Sequence, residues 1–340
     1  MEEKVEFVQK PSEGQPWDIV VIGSGPAGLT AAIYTTRGAA STLVLAGEKW
    51  GGQLMLTTEV DNYPGFPEGI QGPDLMMNMR KQSERFGAEI VEKNVSGVDF
   101  SKSPFELTAG DTKYFSKSVI IATGSDTRWL GIPGEEKLRG RGVSSCAPCD
   151  APFFKDKKVV VIGGGDSAME EALVLVKYAT EVIILHRREE FRASKAMQKK
   201  VFDDPKIKVI WNVDVKEFVG RRPEGAFTEP KGSQNRGSGP EGDTKLEKIK
   251  VFNSKEEKDS EIIVDGAFVA IGHVPSTNAF KDSVELDKKG YVVVHNGSKT
   301  NVEGVFVSGD VHDYHYKQAI TAAGFGCQAA MDALRFLDKL

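Results

Sequence analysis

The chain has 340 residues, enough for about two domains, and its 40% hydrophobic and 27% charged residues are ordinary for a soluble globular protein. A net charge of −5 offers no basic surface for nucleic acid or an anionic membrane. No apolar run reaches the roughly 20 residues of a membrane helix, Met1-Glu2-Glu3-Lys4-Val5 has no secretory pattern, and three cysteines do not make a secreted disulfide scaffold, so a reducing cytoplasm is expected.

Residues 1–16 are polar without a period and read as an arm. Asp18-Ile19-Val20-Val21-Ile22 reads as a buried strand and Leu29 to Arg37 as a helix. Between them Gly23-Ser24-Gly25-Pro26-Ala27-Gly28 is a G-x-G-x-x-G turn in its strand–turn–helix context. There Gly23 permits the tight turn, Gly25 lets the backbone approach a pyrophosphate, and Gly28 lets the helix pack on the strand. The helix N-terminus then presents free N–H groups to phosphate. A second strand, Thr42-Leu43-Val44-Leu45, ends near Gly47, with Glu48 slightly late, so the usual ribose-binding acid is displaced or missing. Gly51-Gly52-Gln53-Leu54 and Asn62-Tyr63-Pro64-Gly65-Phe66 read as loops whose polar side chains face a cofactor ring. A helix opens at Pro73 and short strands follow, the last ending in Ala122-Thr123-Gly124, where small residues let the chain pass close to a ligand.

Gly131-Ile132-Pro133-Gly134 reads as a crossover between domains. Next comes Ser144-Ser145-Cys146-Ala147-Pro148-Cys149-Asp150, a Cys-x-x-Cys pair followed by a carboxylate. A zinc site needs four ligands. The only other cysteine is Cys327, read as a small core residue, and no histidine stands at ligand spacing near the pair, so no metal is expected. A lone Cys-x-x-Cys beside a βαβ pattern reads as a redox dithiol; two ordinary buried cysteines are the plain alternative. Ser144 and Ser145 are placed to cap a helix whose dipole lowers a cysteine pKa.

Val159 to Ile162 is another buried strand, and Gly163-Gly164-Gly165-Asp166-Ser167-Ala168 is a second fingerprint, G-x-G-x-x-A. The strand after its helix ends at His186-Arg187-Arg188, with Arg192 one turn on. Guanidinium groups at that place suit the 2′-phosphate of NADPH; a solvated basic face is the alternative. Residues 221–243, rich in Gly, Pro and Ser, read as a mobile loop or hairpin tip. Ala267 to His273 returns to a core strand, Val305 to Asp310 is a strand presenting an Asp at its end, and Ala319 to Leu337 is helical.

GSGPAG, GGQL, NYPGF, ATG, CAPCD, GGGDSA, HRRxxxR, GD and QAITAAGFGCQAA, in this order from about Trp17 onward, resemble the low-molecular-weight thioredoxin reductases. The resemblance implies an α/β chain of two Rossmann-like, three-layer ββα nucleotide-binding domains. Residues 1–127 and 257–340 would form a discontinuous FAD domain, and 128–256 an NADPH domain carrying the dithiol. It implies FAD along the first glycine turn, Gly47, Glu48, Gly52, Gln53, Leu54, Asn62, Ala122, Thr123, Gly124, Gly309, Asp310, Lys317, Gln318 and Ala319, with Lys317 where the family usually has Arg. It implies NADPH along Gly163, Gly165, Asp166, Ser167, Ala168, His186, Arg187, Arg188, Arg192, Ile271 and Gly272.

By the same resemblance NADPH gives hydride to the flavin, and the electrons pass to a Cys146–Cys149 disulfide. Cys149 would face the flavin, Cys146 would meet the partner's disulfide, and Asp150 would move protons. Thioredoxin would be the partner and a homodimer the assembly. The two half-reactions would alternate by domain rotation, with hinge candidates at Ser125–Gly134 and Ser254–Ile262. A flavin disulfide reductase for a glutaredoxin-like or peroxiredoxin-linked carrier is the second enzymatic reading. A redox sensor without turnover is a third reading, and would be expected to have lost a cysteine or Arg187/Arg188; neither is lost.

Overall fold

The computed structural model describes residues 10–12, 14–57, 59–221 and 244–340. Most of the expected arm over 1–16, and all of the expected loop over 221–243 except Arg221, lie outside the described residues. The chain divides into two compact units, Met1–Asp126 with Val274–Leu340, and Thr127–His273.

The first unit opens with β1 (Trp17–Ile22), α1 (Pro26–Arg37) and β2 (Thr42–Leu45). A two-stranded ribbon, β3 (Glu59–Val60) and β4 (Ile70–Gln71), leads into α2 (Gly72–Arg85). Then come β5 (Glu89–Val91), β6 (Val95–Asp99), β7 (Phe105–Ala109), β8 (Thr112–Ile121) and β9 (Ser125–Thr127), which carries the chain out of the unit. The chain returns to this unit for β19 (Val305–Val307) and α7 (Ala319–Leu337). The sheet runs β5-β2-β1-β8-β7-β6, and β19 also pairs with β8.

Period-two alternation in β1 explains its layers. Ile19 and Val21 pack with small residues of α1 and α7, among them Ala31, Ala32, Ala329 and Ala330. Val20 and Ile22 pack on the opposite face with Phe105, Leu107 and Phe280. The alanines let the helices come close. A Cβ at Gly326 of α7 would lie 2.2 Å from the Ala27 carbonyl oxygen.

The second unit contains α3 (Glu135–Leu138), β10 (Val143–Ser144), α4 (Ala147–Asp150), β11 (Lys158–Ile162), α5 (Asp166–Leu175), β12 (Glu181–His186), α6 (Lys195–Asp203) and β13 (Ile207–Trp211). An antiparallel layer follows, β14 (Val213–Arg221), β15 (Lys245–Asn253) and β16 (Lys258–Ile263), then β17 (Gly266–Val269) and the exit strand β18 (His273–Pro275). The parallel sheet is β10-β17-β11-β12-β13. Val159 and Val161 face Ala168, Met169, Ala172 and Leu175 of α5. Val160 and Ile162 face Phe218, Ile249 and Val251 of the antiparallel layer. Each unit is the expected Rossmann-like body, and the first is discontinuous.

Two boundaries differ from expectation. The chain leaves the second unit at His273, not at 256, because β17 pairs in parallel with β11, Val160 opposite Ala267. The hinge candidate Ser254–Ile262 is not a crossover. It is the turn and returning strand of the β15–β16 hairpin, where Asn253 pairs with Lys258. Among the described residues no helix is long and apolar enough to cross a membrane.

Candidate active site: two glycine turns and a dithiol

In the first unit, parallel pairing brings four strand ends to one level. Ile22 stands opposite both Leu45 and Ile121, and Ile121 opposite Val307. Gly23, Ala46, Ala122 and Ser308 therefore open together beyond the carboxyl ends of the strands, where such sheets bind ligands. Gly23 has φ +109°, and a Cβ there would lie 2.3 Å from the Ala122 carbonyl oxygen. At Gly28 a Cβ would fall 2.1 Å from the Gly23 carbonyl oxygen, whereas a Cβ at Gly25 would meet nothing within 4 Å. The outer two glycines are thus needed by the fold, and the middle one leaves room for a ligand.

Ser24 locks the turn. Its Oγ donates to the Ala46 carbonyl at 2.8 Å and accepts the Gly51 N–H at 2.9 Å. Pro26 and Ala27 open α1. Gly52 stands next to Gly25, the Gln53 amide donates to the Ser125 carbonyl, and Leu54 packs under the loop against the α2 cluster. The Glu48 N–H and the backbone at Gly47 are held by Asn94 and Lys93; Asn94 Oδ1 accepts from Glu48 at 3.1 Å. Thr123 donates to the Ser276 carbonyl at 2.8 Å, and Gly124 accepts the Ser276 N–H at 3.0 Å. Asn62 reaches Gln318 at 3.4 Å, and Gln318 caps α7 reciprocally with Thr321 just before Ala319.

Gly309, with φ +75°, would place a Cβ 2.8 Å from the Ala27 side chain. Asp310 follows it. Its Oδ1 and the neighbouring Ser308 Oγ are buried polar atoms without a hydrogen-bond partner. Burial, then the Asp313 carboxylate, push the Asp310 carboxyl up to about 7, and Lys317 pulls against this. A cradle with one open glycine and an unpaired buried carboxyl fits the hydroxyl-rich, phosphate-bearing FAD expected there. Lys317 itself is held in the left-handed region, φ +49°, by Asp313, whose carboxylate accepts the N–H groups of His315, Tyr316 and Lys317.

The second unit repeats the arrangement. Ile162 stands opposite Leu185 and Val269, so Gly163, His186 and Ala270 share one level. A Cβ at Gly163 would lie 2.4 Å from the Ala270 carbonyl oxygen and 2.9 Å from the buried Ala168 side chain, and Gly165 again opens on free space. Asp166 accepts the Ser194 N–H at 2.8 Å, and Ser167 is exposed beside it. The Gly164 carbonyl accepts the Arg192 N–H at 2.7 Å, which lays the basic loop over the turn. The side chains of Arg187, Arg188 and Arg192 are exposed. Ile271 and Gly272 continue from β17, and the Gly272 carbonyl accepts the Arg128 N–H at 2.9 Å.

His186 differs from its neighbours. It is buried beneath Gly164, with Nε2 3.0 Å from the Glu190 carbonyl and its ring 5.4 Å from that of Phe191. Burial chiefly, with the Arg192 and Arg188 charges, lowers its pKa below the usual imidazole value. It supports the glycine turn from below as a neutral ring instead of standing on the open face with the arginines.

Cys146 and Cys149 form a disulfide, Cα–Cα 5.3 Å, and both are half-buried. Cys146 is the N-cap of α4, which has only four residues. The expected serine cap is absent from this helix: Ser144 Oγ instead accepts the Cys146 N–H at 3.1 Å, and Ser145 Oγ lies 3.3 Å from Thr127 Oγ1. Burial raises the Asp150 carboxyl above its ordinary value, opposed by a hydrogen bond from Ser144. The Ala147 N–H donates to the Glu171 carboxylate of α5. Glu171, Asn94 and Asp313 escape a reading of the sequence because each acts across many residues or within an ordinary polar stretch. Only Asp313 carries a local signal, an Asp opening a turn.

The family model for pyridine nucleotide-disulphide oxidoreductases matches residues 17–326. A thioredoxin reductase of Rickettsia prowazekii (strain Madrid E) is 46% identical over 323 residues, 94% of this chain and 98% of that protein. One from Streptomyces coelicolor is 49% identical over 326 residues, 95% of this chain and 94% of that protein. Among solved structures, a thioredoxin reductase from Streptococcus pyogenes MGAS5005 is similar with a TM-score of 0.86 at 35% identity, over 95% of this chain and 99% of that one. That from Giardia duodenalis gives 0.85 at 37%, over 95% and 100%. With its two glycine turns and its closed Cys146–Cys149 pair, the chain belongs to the pyridine nucleotide-disulphide oxidoreductases and, within them, to the low-molecular-weight thioredoxin reductases, which use FAD and NADPH.

Proposed function

We propose that the chain reduces the disulfide of thioredoxin with electrons from NADPH, through FAD and the Cys146–Cys149 pair. The observation that carries this is the disulfide itself, closed at the head of α4 beside Asp150 in the unit that also holds the second glycine turn. FAD, when bound, supplies a two-electron acceptor able to take hydride and to reduce a disulfide. The first glycine turn, Asp310 and the start of α7 hold and orient it. Arg187, Arg188 and Arg192 take the 2′-phosphate of NADPH as exposed guanidinium groups.

In the reduced pair, the Cys146 thiolate attacks one sulfur of the partner's disulfide and the other partner sulfur leaves with a proton. Cys149 then attacks Cys146, which closes the disulfide and releases the second partner thiol. Asp150, its carboxyl raised above the ordinary value by burial, is placed to pass a proton at the Cys149 end. The chain crosses between the units twice, at Asp126–Thr127 and His273–Val274, and we place the hinge of the domain rotation there.

We also assign a homodimer. Tyr34, Ile320 and Met331 are exposed on α1 and α7, and Met331 touches Cys327 in one stripe along α7. Sedimentation should give twice the chain mass. We also assign the protein to the cytoplasm, where a dithiol stays reducible. The functional test is steady-state turnover with NADPH and NADH against thioredoxin and other disulfide carriers. Turnover with a glutaredoxin-like or peroxiredoxin-linked carrier, and none with thioredoxin, would reassign the partner.

A further inference from the structure

Glu171 stands in the second turn of α5, the helix that begins at the second glycine turn. Its carboxylate accepts the N–H of Ala147, the residue that follows Cys146 and opens α4. We propose that Glu171 is a positioning residue for the dithiol, holding the Cys146 end of α4 and keeping the Cys146 thiol from ionising easily. The proposal rests on the reading of Cys146–Cys149 as the electron exit.

The argument starts from what usually lowers a cysteine pKa. A cysteine at a helix N-cap is stabilised as thiolate by the free N–H groups of the first turn and by nearby cations. Here the first of those N–H groups is already taken by a carboxylate. The helix has four residues, so its dipole adds little. The remaining N–H groups point elsewhere: those of Cys149 and Asp150 return to the Cys146 carbonyl, at 3.3 and 3.1 Å.

The titratable side chains on α4 and on α5, which packs against it, are all acidic. They are Asp150 on α4 itself, and Asp166, Glu170 and Glu171 on α5, of which Asp166 and Glu170 are exposed; the Ala151–Phe154 turn carries none. A negative charge fixed one residue from Cys146 disfavours its thiolate. A pair whose thiolate is disfavoured is a stronger reductant than one whose reduced form is stabilised, and a thiolate of higher pKa is the better nucleophile. Both consequences suit a protein that gives electrons away. The same hydrogen bond ties the dithiol helix to the helix that leads from the nucleotide turn.

The test uses full-length, flavin-loaded protein carrying Cys149→Ser, in which Cys146 is the attacking thiol left in the pair. The rate of alkylation by iodoacetamide is followed against pH, with Cys327→Ser added to remove the remaining thiol. Glu171→Gln keeps an acceptor for the Ala147 N–H and removes the charge. It should lower the Cys146 pKa by about one unit, which gives about tenfold more thiolate below that pKa and, after the lower nucleophilicity of the less basic thiolate, about three- to fourfold faster alkylation. In protein with both cysteines, the same substitution should move the dithiol–disulfide balance toward the reduced form in a dithiothreitol buffer. Glu171→Ala should show the same pKa shift together with a lower melting temperature. An unchanged Cys146 pKa in Glu171→Gln, with only a loss of melting temperature in Glu171→Ala, would reduce Glu171 to a structural anchor and overturn the proposal. The alkylation readout needs neither NADPH nor thioredoxin. Failure of this proposal is therefore distinct from failure of the thioredoxin reading, which would appear as absent wild-type turnover.

Discussion

Asp310 lies close enough to Asp313 for the two carboxyls to interact, and burial together with that neighbour pushes the Asp310 carboxyl up to about 7. Asp313 cannot turn away, because it holds the backbone N–H groups of His315, Tyr316 and Lys317. In the flavin-free fold, Asp310 therefore keeps its proton up to about pH 7, while the unfolded chain loses it near 3.8. Between those values the folded state binds more protons than the unfolded state, so stability falls as pH rises. The loss is complete above about pH 7 and amounts to about 4 kcal/mol at most for a shift of about three units. Asp310→Asn should therefore raise the melting temperature of flavin-free protein more at pH 8 than at pH 5, and should weaken FAD retention at both. An equal change in melting temperature at the two pH values would contradict the burial argument.

Gly25 and Gly28 separate ligand space from fold space. Gly25 has φ −68°, which any residue adopts, and an added Cβ meets no atom of the protein within 4 Å. Gly25→Ala should leave the stability of flavin-free protein within about 0.5 kcal/mol and strip the purified protein of its yellow colour. Gly28→Ala drives a methyl into the Gly23 carbonyl and should cost about 2 kcal/mol or more. Melting curves and the ratio of flavin to protein absorbance distinguish the two outcomes.

Nucleotide choice should follow the exposed arginines. Charged hydrogen bonds to phosphate contribute about 1.5–3 kcal/mol each. Arg187→Ala/Arg188→Ala should raise the KM for NADPH far more than the KM for NADH, with the rate at saturation little changed. Equal wild-type efficiency with both nucleotides would remove the phosphate assignment. His186→Ala should act otherwise. It empties the space under Gly164 and should lower stability, and it should impair both nucleotides alike.

Local patterns carried most of the fold. The runs Ile19–Ile22 and Val159–Ile162, each closed by glycines and followed by a helix, are legible because strand, turn and helix lie within about 20 contiguous residues. Ala319–Leu337 is legible from end to end for the same reason. The second domain boundary was not, since nothing local says that Gly266–Val269 pairs with β11, about a hundred residues earlier. The hairpin at Asn253–Lys258 looked like a crossover because its exposed, charged residues resemble a linker. In the candidate site, chemistry-bearing types at fixed spacing were readable: the glycines, the cysteines, the arginines. The side chains that hold them were not. Glu171 reaches Ala147 across 24 positions and Asn94 reaches Glu48 across 46, and helical or loop context gives neither a signal.

The two sulfurs should be distinguishable. Cys146→Ser leaves Cys149 as the only sulfur of the pair, and Cys149→Ser leaves Cys146. If Cys149 is the flavin-side sulfur, a long-wavelength absorbance band should appear in Cys146→Ser and be absent from Cys149→Ser. Cys149→Ser should instead trap thioredoxin as a mixed disulfide. Asp150→Asn should slow turnover by about 10²–10⁴-fold without preventing NADPH from bleaching the flavin, since it removes only proton transfer. The opposite assignment of the band would exchange the roles of the two cysteines and leave the reaction intact.

The central claim is that electrons leave the protein through Cys146 and Cys149. Its most direct measurement is NADPH consumption with oxidised thioredoxin, by wild type and by Cys146→Ser, with flavin bleaching by NADPH recorded on the same samples. The account predicts that bleaching survives in Cys146→Ser while thioredoxin-dependent consumption is lost. Full wild-type turnover by Cys146→Ser would contradict it.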